Sequence, residues 1–299
     1  MSAPQPLALA ATDCELRAAH ARRNVVRMMR ASGGGHLGGA LSCLDIVVAL
    51  YFHTMRLPDI EAARARVLRQ SGADADADRD RFVLSAGHKC LAQYAVLAEA
   101  GFFPPEVLDT YGHLDSAIPG HPDIGKLPGI EANTGALGHG LAIALGMALG
   151  LRLSGTCSRV FTILGDGELP EGSNWEAFAA ARHHRAGNMV AILDLNGLQI
   201  SGTTAEVMDL EPIVSKLEAF GWATQLVDGH DLGALIEILD NLPRGGDAPQ
   251  AIVARTIKGK GLSFAEGRVD YHYWKPSPDE LAQATREVEQ GVERWEVSR

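Results

Sequence analysis

A chain of 299 residues, 46% hydrophobic and 21% charged, carries enough apolar surface for one large domain or two small ones with a proper core. Its net charge of -10 argues against nucleic acid or an anionic membrane as the main partner, because both require a basic surface. Cys14, Cys43, Cys90 and Cys157 lie far apart with no C-x-x-C, which argues against a zinc site or disulfide scaffold and for a reducing, cytoplasmic setting.

The N-terminus has no positive charge before Arg17, so it does not read as a secretory signal. An amphipathic pattern over 13–30 predicts a helix that ends in "SGGGHLGG", residues 32–39. This stretch holds a G-x-G-x-x-G at Gly33, Gly35 and Gly38. A dinucleotide fingerprint must follow a strand, and here a helix comes first. The glycines therefore turn the chain between two helices, the second over 41–51, and leave His36 exposed at the turn.

Strands are expected at "RFVLSAG" (81–87), "RVFTILGDG" (159–167), "MVAILDLNG" (189–197), "WATQLVDG" (222–229) and "QAIVARTI" (250–257), all read as buried on both faces. Helical patterns over 91–99, 137–153, 175–184, 211–220 and 232–239 alternate with them. The run 137–153 is too short and too polar for a membrane span and reads as a buried helix whose small residues permit close packing. Residues 69–80 and 241–250 read as exposed connections. "SPDE" at 277–280 is a capping box opening a last polar helix towards Val297. This βαβ alternation predicts an α/β fold with a mainly parallel sheet, flanked by helices on both faces, in a single domain over 1–299.

Chemistry concentrates in residues 164–202, "LGDGELPEGSNWEAFAAARHHRAGNMVAILDLNGLQISG". One strand ends at Asp166, and the next ends at Asn196, 30 residues later. A crossover between parallel strands brings the two residues to the same sheet edge, where open α/β sheets bind ligands. One carboxylate and one amide oxygen suit Mg²⁺ or Ca²⁺ bridged to phosphate oxygens. Gly165 and Gly167 allow backbone to approach the phosphates, and a helix starting near Asn174 would point its N-terminus at the same charge.

The GDG with its later asparagine and "LNGLQISG" resembles the thiamine diphosphate motif. "GGHLGGALSCLDIVVALYF", "DRFVLSAGHKCLAQYAVL", "PGHPDIGKLPGIEANTGALGHGLAIALGMALG" and "RTIKGKGLSF" resemble blocks of transketolase in the same order. The resemblance covers about 16–274 and corresponds to the N-terminal half of a full-length transketolase, as in split, two-subunit forms.

That resemblance implies a thiamine diphosphate-binding domain and Asp166, Asn196 and the Leu198 carbonyl as ligands of Mg²⁺ or Ca²⁺. It implies Gly135, Leu137, Gly165, Gly167, Glu168, Asn196 and Ile200 around the cofactor, with Ile200 against the thiazolium. His36, His88, His121 and His272 resemble the histidines around the reactive carbon and the sugar hydroxyls. Imidazoles can exchange protons with hydroxyls near neutral pH, and His88 or His121 could instead bind diphosphate.

The implied activity is transfer of a two-carbon ketol unit from a ketose or ketose phosphate to an aldehyde. The implied partner is a C-terminal subunit that supplies the catalytic glutamate in an α₂β₂ assembly. Two other readings are the α subunit of a thiamine-dependent 2-oxoacid dehydrogenase, which the histidine blocks disfavour, and a non-catalytic homologue, which intact Asp166 and Asn196 disfavour. One stretch departs from the family: "VDYHYWKP" puts Tyr273 and Trp274 where a small glycine is common.

Overall fold

The protein is described from a computed structural model covering residues 5–69 and 78–297. Most of the connection expected at 69–80 lies outside the described residues. Five strands, β1 (Arg81–Leu84), β2 (Val160–Gly165), β3 (Met189–Leu195), β4 (Ala223–Asp228) and β5 (Gln250–Arg255), pair in parallel in the order β1-β2-β3-β5-β4.

Side chains on a strand alternate between faces, and both faces are covered. On β3, Val190 and Ile192 enter one hydrophobic core while Ala191, Leu193 and Leu195 enter the other. The first core is closed by α1 (Ala11–Ser32), α2 (Gly38–Ala49), α4 (Cys90–Glu99), α9 (Leu232–Asn241) and α10 (Pro278–Val297). The second is closed by α5 (Gly140–Leu153), α6 (Gly172–His183) and α8 (Ile213–Ala219). Two further helices, α3 (Ile60–Arg69) and α7 (Thr204–Val207), were not expected from the sequence.

Two expectations need correction. β4 is not buried on both faces: it is an edge strand of the sheet, and Leu226 is 59% exposed. α5 is buried only along Gly140, Leu141, Ala144, Leu145 and Ala148, while Ile143 and Leu153 are exposed and a Cβ at Gly146 or Gly150 would meet nothing. Small residues pack closely on one side of that helix only.

The capping box forms as expected, with Ser277 Oγ accepting from Glu280 N and Glu280 Oε2 from Ser277 N. The last helix is polar except for a buried stripe of Ala284, Val288 and Val292, which lays it along α1. Gly33 ends α1 with φ +66, its N–H donating to the Met29 carbonyl at 3.1 Å. Gly35 then pairs with Trp274 in both directions, at 3.0 and 2.8 Å. The glycine loop thus joins two helices, as the sequence order required, and is stitched to the segment carrying His272. Among the described residues no helix is long and apolar enough to cross a membrane.

Candidate active site

In the β2–β3 register Gly165 lies opposite Asp194, so Asp166 and Asn196 leave the sheet at the same edge. Asp166 Oδ2 accepts the Gly197 N–H at 2.7 Å and its Oδ1 the Gly167 N–H at 3.0 Å. Asn196 Oδ1 accepts from Leu198 N at 3.1 Å, and its Nδ2 lies 3.4 Å from Ser42 Oγ on α2. A cavity of about 270 Å³ opens here. His36, His88, His272, Gly135, Leu137, Gly165, Asp166, Gly167, Glu168, Asn196, Leu198 and Ile200 all line it.

Every site residue expected from the sequence except His121 therefore reaches this one cavity. His121 stands beside it: its ring lies 6.2 Å from that of His36, and a Cβ on Gly135 would come within 2.8 Å of it. The His36 ring is 5.5 Å from His88 and 5.4 Å from His272, and those two are 5.5 Å apart. Residues separated by up to 236 positions in sequence (36 to 272) thus form one imidazole cluster.

Burial lowers three of these rings, His36, His88 and His272, and so favours their neutral form. It pushes His88 down to about 2, with Lys89 adding to the shift, and His272 down to about 4, with Lys258 adding. Burial and then His121 lower His36. A neutral imidazole offers one donor and one acceptor, which suits proton exchange with hydroxyls. The cluster does not converge as a metal cage, since no group of three or more metal-ligating side chains forms among the described residues.

Several residues at the cavity escaped the sequence reading. Lys89, 2% exposed, donates to Asp194 Oδ2 at 2.6 Å, and Ser42 Oγ donates to the same oxygen at 2.5 Å. Burial opposes the Lys89 charge, but Asp194 more than compensates and holds the ammonium above its ordinary range. Gly165 and Gly39 make room for that lysine: a Cβ on either would lie 2.8 or 3.2 Å from it. Lys258, lowered by burial to about 8, lies 3.4 Å from the Leu198 carbonyl and 3.1 Å from both the Gln199 carbonyl and His272 Nδ1. A signal for the first pair was present in "MVAILDL", where a charge inside an apolar strand requires a buried partner.

Two details differ from expectation. α6 starts at Gly172, and none of its residues lines the cavity; the turn of Gly167 faces it instead. Trp274 is 2% exposed and packs on Phe264, so of the two Tyr273, its ring 5.0 Å from that of His36, is the one beside the imidazole cluster. Glu168 spends its carboxylate on Ser85 Oγ at 2.5 Å and Gly138 N at 2.9 Å.

The sequence model of the family described as transketolase, thiamine diphosphate binding domain, matches residues 15–294. The chain belongs to this transketolase family. An apulose-4-phosphate transketolase subunit of Phocaeicola vulgatus is 39% identical over 94% of this chain and 96% of its own length. A 6-deoxy-6-sulfo-D-fructose transketolase subunit of a Clostridium species is 38% identical over 86% and 89%. Among solved structures, a Pichia stipitis transketolase superposes with a TM-score of 0.79 at 26% identity, covering 97% of this chain and 45% of that one. The chain spans less than half the length of the solved transketolases it matches.

The transketolase cavity fits the cofactor's charged end on three observations. The Asp166 carboxyl, 8% exposed, is pushed by burial up to about 6 despite Lys89, a state a bound cation would relieve. The Leu198 and Gln199 carbonyls already converge on one cation, Lys258. A Cβ on Gly167 would meet nothing closer than Gln199 Cγ at 3.7 Å, so the backbone there is open to an anion.

Proposed function

We propose that this chain is the thiamine diphosphate-binding subunit of a two-subunit, cytoplasmic transketolase. It would move a two-carbon ketol unit from a ketose to an aldehyde. The observation that carries this reading is the cluster of neutral histidines opening onto the Asp166–Gly167 and Asn196–Leu198 turns. Decarboxylation of a 2-oxoacid has no sugar hydroxyls to engage and would leave four imidazoles without a task. The relatives are named for a sugar phosphate and a sulfo-sugar, which supports a ketose with an anionic end as the donor.

Asp166, Asn196 and the Leu198 carbonyl would hold Mg²⁺, or Ca²⁺, against the diphosphate. The Gly167 N–H would donate to a phosphate oxygen, and the Lys258 ammonium would balance its charge. Gly135, Leu137 and Gly165 would form the wall around the cofactor, while Ile200, 68% exposed, would pack on the thiazolium at the rim. Glu168 would act by holding Ser85 and Gly138, and so the Gly135–Leu137 wall, in place. When bound, thiamine diphosphate supplies the carbanion chemistry. Histidines of the chain would supply the proton transfers: His36 and His88 line the cavity where substrate hydroxyls would sit, His121 would reach them from beside His36, and His272, accepting from Lys258 at Nδ1, carries its ring proton on Nε2.

The whole chain, 1–299, is taken as one domain. Relatives that it matches over nearly their full length are named as transketolase subunits, which supports a separate partner, and we assign the catalytic glutamate to that partner in an α₂β₂ assembly. The test is reconstitution with the partner, Mg²⁺ and thiamine diphosphate. Ketol transfer by the complex, and none by either component in isolation, is expected. Decarboxylation of 2-oxoacids in place of ketol transfer, or full activity of this chain alone, would overturn the reading.

A further inference from the structure

His230 lies in the turn between β4 and α9, far along the chain from the histidine cluster, and lines no part of the cofactor cavity. Its own N–H donates to Asp228 Oδ1 at 2.9 Å, as in a simple turn. The ring does more. Its side chain is 10% exposed, its Nδ1 lies 2.8 Å from Asp45 Oδ2 on α2, and its Nε2 accepts the Ile257 N–H at 2.9 Å. A ring that accepts at Nε2 carries its proton on Nδ1, and Asp45 receives that proton's hydrogen bond. Arg22 Nη2, 2.5 Å from the same carboxylate oxygen, fixes Asp45 in turn.

Ile257 belongs to a short strap, 256–259, that leaves β5 and crosses the cavity edge. Thr256 Oγ1 bonds Asp194 Oδ1, and the Gly259 N–H donates to the Gly38 carbonyl at 2.9 Å. Between them Lys258 reaches the Gln199 carbonyl and His272. Clearance is small, for a Cβ on Gly38 would lie 2.8 Å from Lys258 Cγ and 2.9 Å from the Tyr271 carbonyl. The strap has side-chain or backbone anchors on either side of Ile257, and Ile257 itself is held by His230.

We propose that His230 is a positioning residue for the cofactor site: oriented by Asp45, it holds the Ile257 N–H and thereby fixes Lys258 in the cavity. The inference rests on the cavity being the cofactor site. Asparagine can reproduce the Nδ1 position and glutamine the Nε2 position, so the pair separates the two contacts. In the cofactor-free chain, His230→Asn and His230→Ala should speed amide exchange at Ile257 by roughly 3- to 10-fold, the worth of one hydrogen bond. Lys258 should acylate faster in the same two variants. His230→Gln should keep both near wild type.

In the complex with its partner, the Asn and Ala variants should raise the thiamine diphosphate concentration for half-maximal activity by about 10- to 100-fold, as loss of an outer-shell contact does. Their kcat at saturating cofactor should fall less. Wild-type exchange at Ile257 in all three variants, or an Asn variant that behaves as wild type while Gln behaves as Ala, would overturn the proposal. Faster exchange with unchanged cofactor dependence would overturn it too. If the Ala variant does not fold, the Asn–Gln difference still decides. Absence of ketol transfer in the wild-type complex would count against the proposed function, whereas these cofactor-free readouts would stand.

Discussion

The two ends of the sheet both bury charge, yet only one is built to bind. At the amino ends of β1 and β2, Asp80 is fully buried and accepts from Arg159 N at 2.8 Å and Arg56 N at 3.1 Å. The Arg56 and Arg159 guanidinium groups lie 3.3 and 3.7 Å from it. Arg79 pairs with Glu131 beside them, at 2.5 and 3.2 Å. Cations there face anions, and Arg159 Nη2 also donates to the Thr54 carbonyl at 3.2 Å. At the carboxyl ends the Lys89–Asp194 pair is as tightly made, but Asp166 and the imidazoles border open space. Buried charge marks stability where it is closed and a ligand site where the compensation is left for something else to complete.

The largest expected effect tests the open end. His36→Ala should lower turnover of the reconstituted enzyme by about 10² to 10⁴, the worth of one proton-transfer group, with the melting temperature unchanged. Steady-state kinetics beside calorimetry check this, and wild-type turnover would return His36 to a turn residue. Next in size is the closed end. Asp80→Ala leaves Arg56 and Arg159 buried without their shared carboxylate and should cost about 3–5 kcal/mol of folding stability. Cofactor affinity of the fraction that folds should not change. A cofactor defect in that variant would break the distinction between the two ends.

Third comes Asp166→Asn, which removes the charge and keeps one oxygen to accept either the Gly167 or the Gly197 N–H. Thiamine diphosphate affinity measured with Mg²⁺ in the partner complex should fall by at least about 10- to 100-fold, the range that even an outer contact of a metal commands. Titration calorimetry showing unchanged affinity would move the cation elsewhere.

Much of the open end was legible in the sequence, because its parts are local. The spacing of Asp166 and Asn196 follows from one strand–helix–strand unit, and apolar runs revealed all five strands. What stayed hidden depends on strand order. Nothing in "WATQLVDG" says that β4 takes the edge beyond β5, so its exposure could not be read. Lys89 and Asp194 are 105 residues apart, and each alone looks like a stray charge. Lys258 in "IKGKG" looks like one of two basic residues in a loop until β5 delivers it beside Leu198 and His272. The four histidines were found through family resemblance rather than spacing, since only the folded sheet brings 36, 88, 121 and 272 together.

The smallest effect concerns Asp45, a buried carboxylate on the helix that follows the glycine loop, paired with Arg22 and His230. Burial alone would raise its carboxyl, but Arg22 and His230 outweigh burial and hold it below the usual carboxylate range. An unfolded chain then binds a proton at Asp45 more readily than the folded one does. By linkage, the stability this group contributes is fully present above its unfolded value near pH 4 and is lost as pH falls through the lower, folded value. Asp45→Asn should therefore flatten the acid limb of stability against pH while changing its slope little above about pH 5. Denaturant titrations of both proteins between about pH 2.5 and pH 6 measure this. An identical acid limb in the variant would mean that the Arg22–Asp45–His230 contact is already open at low pH, so that Asp45 does not orient the His230 ring there.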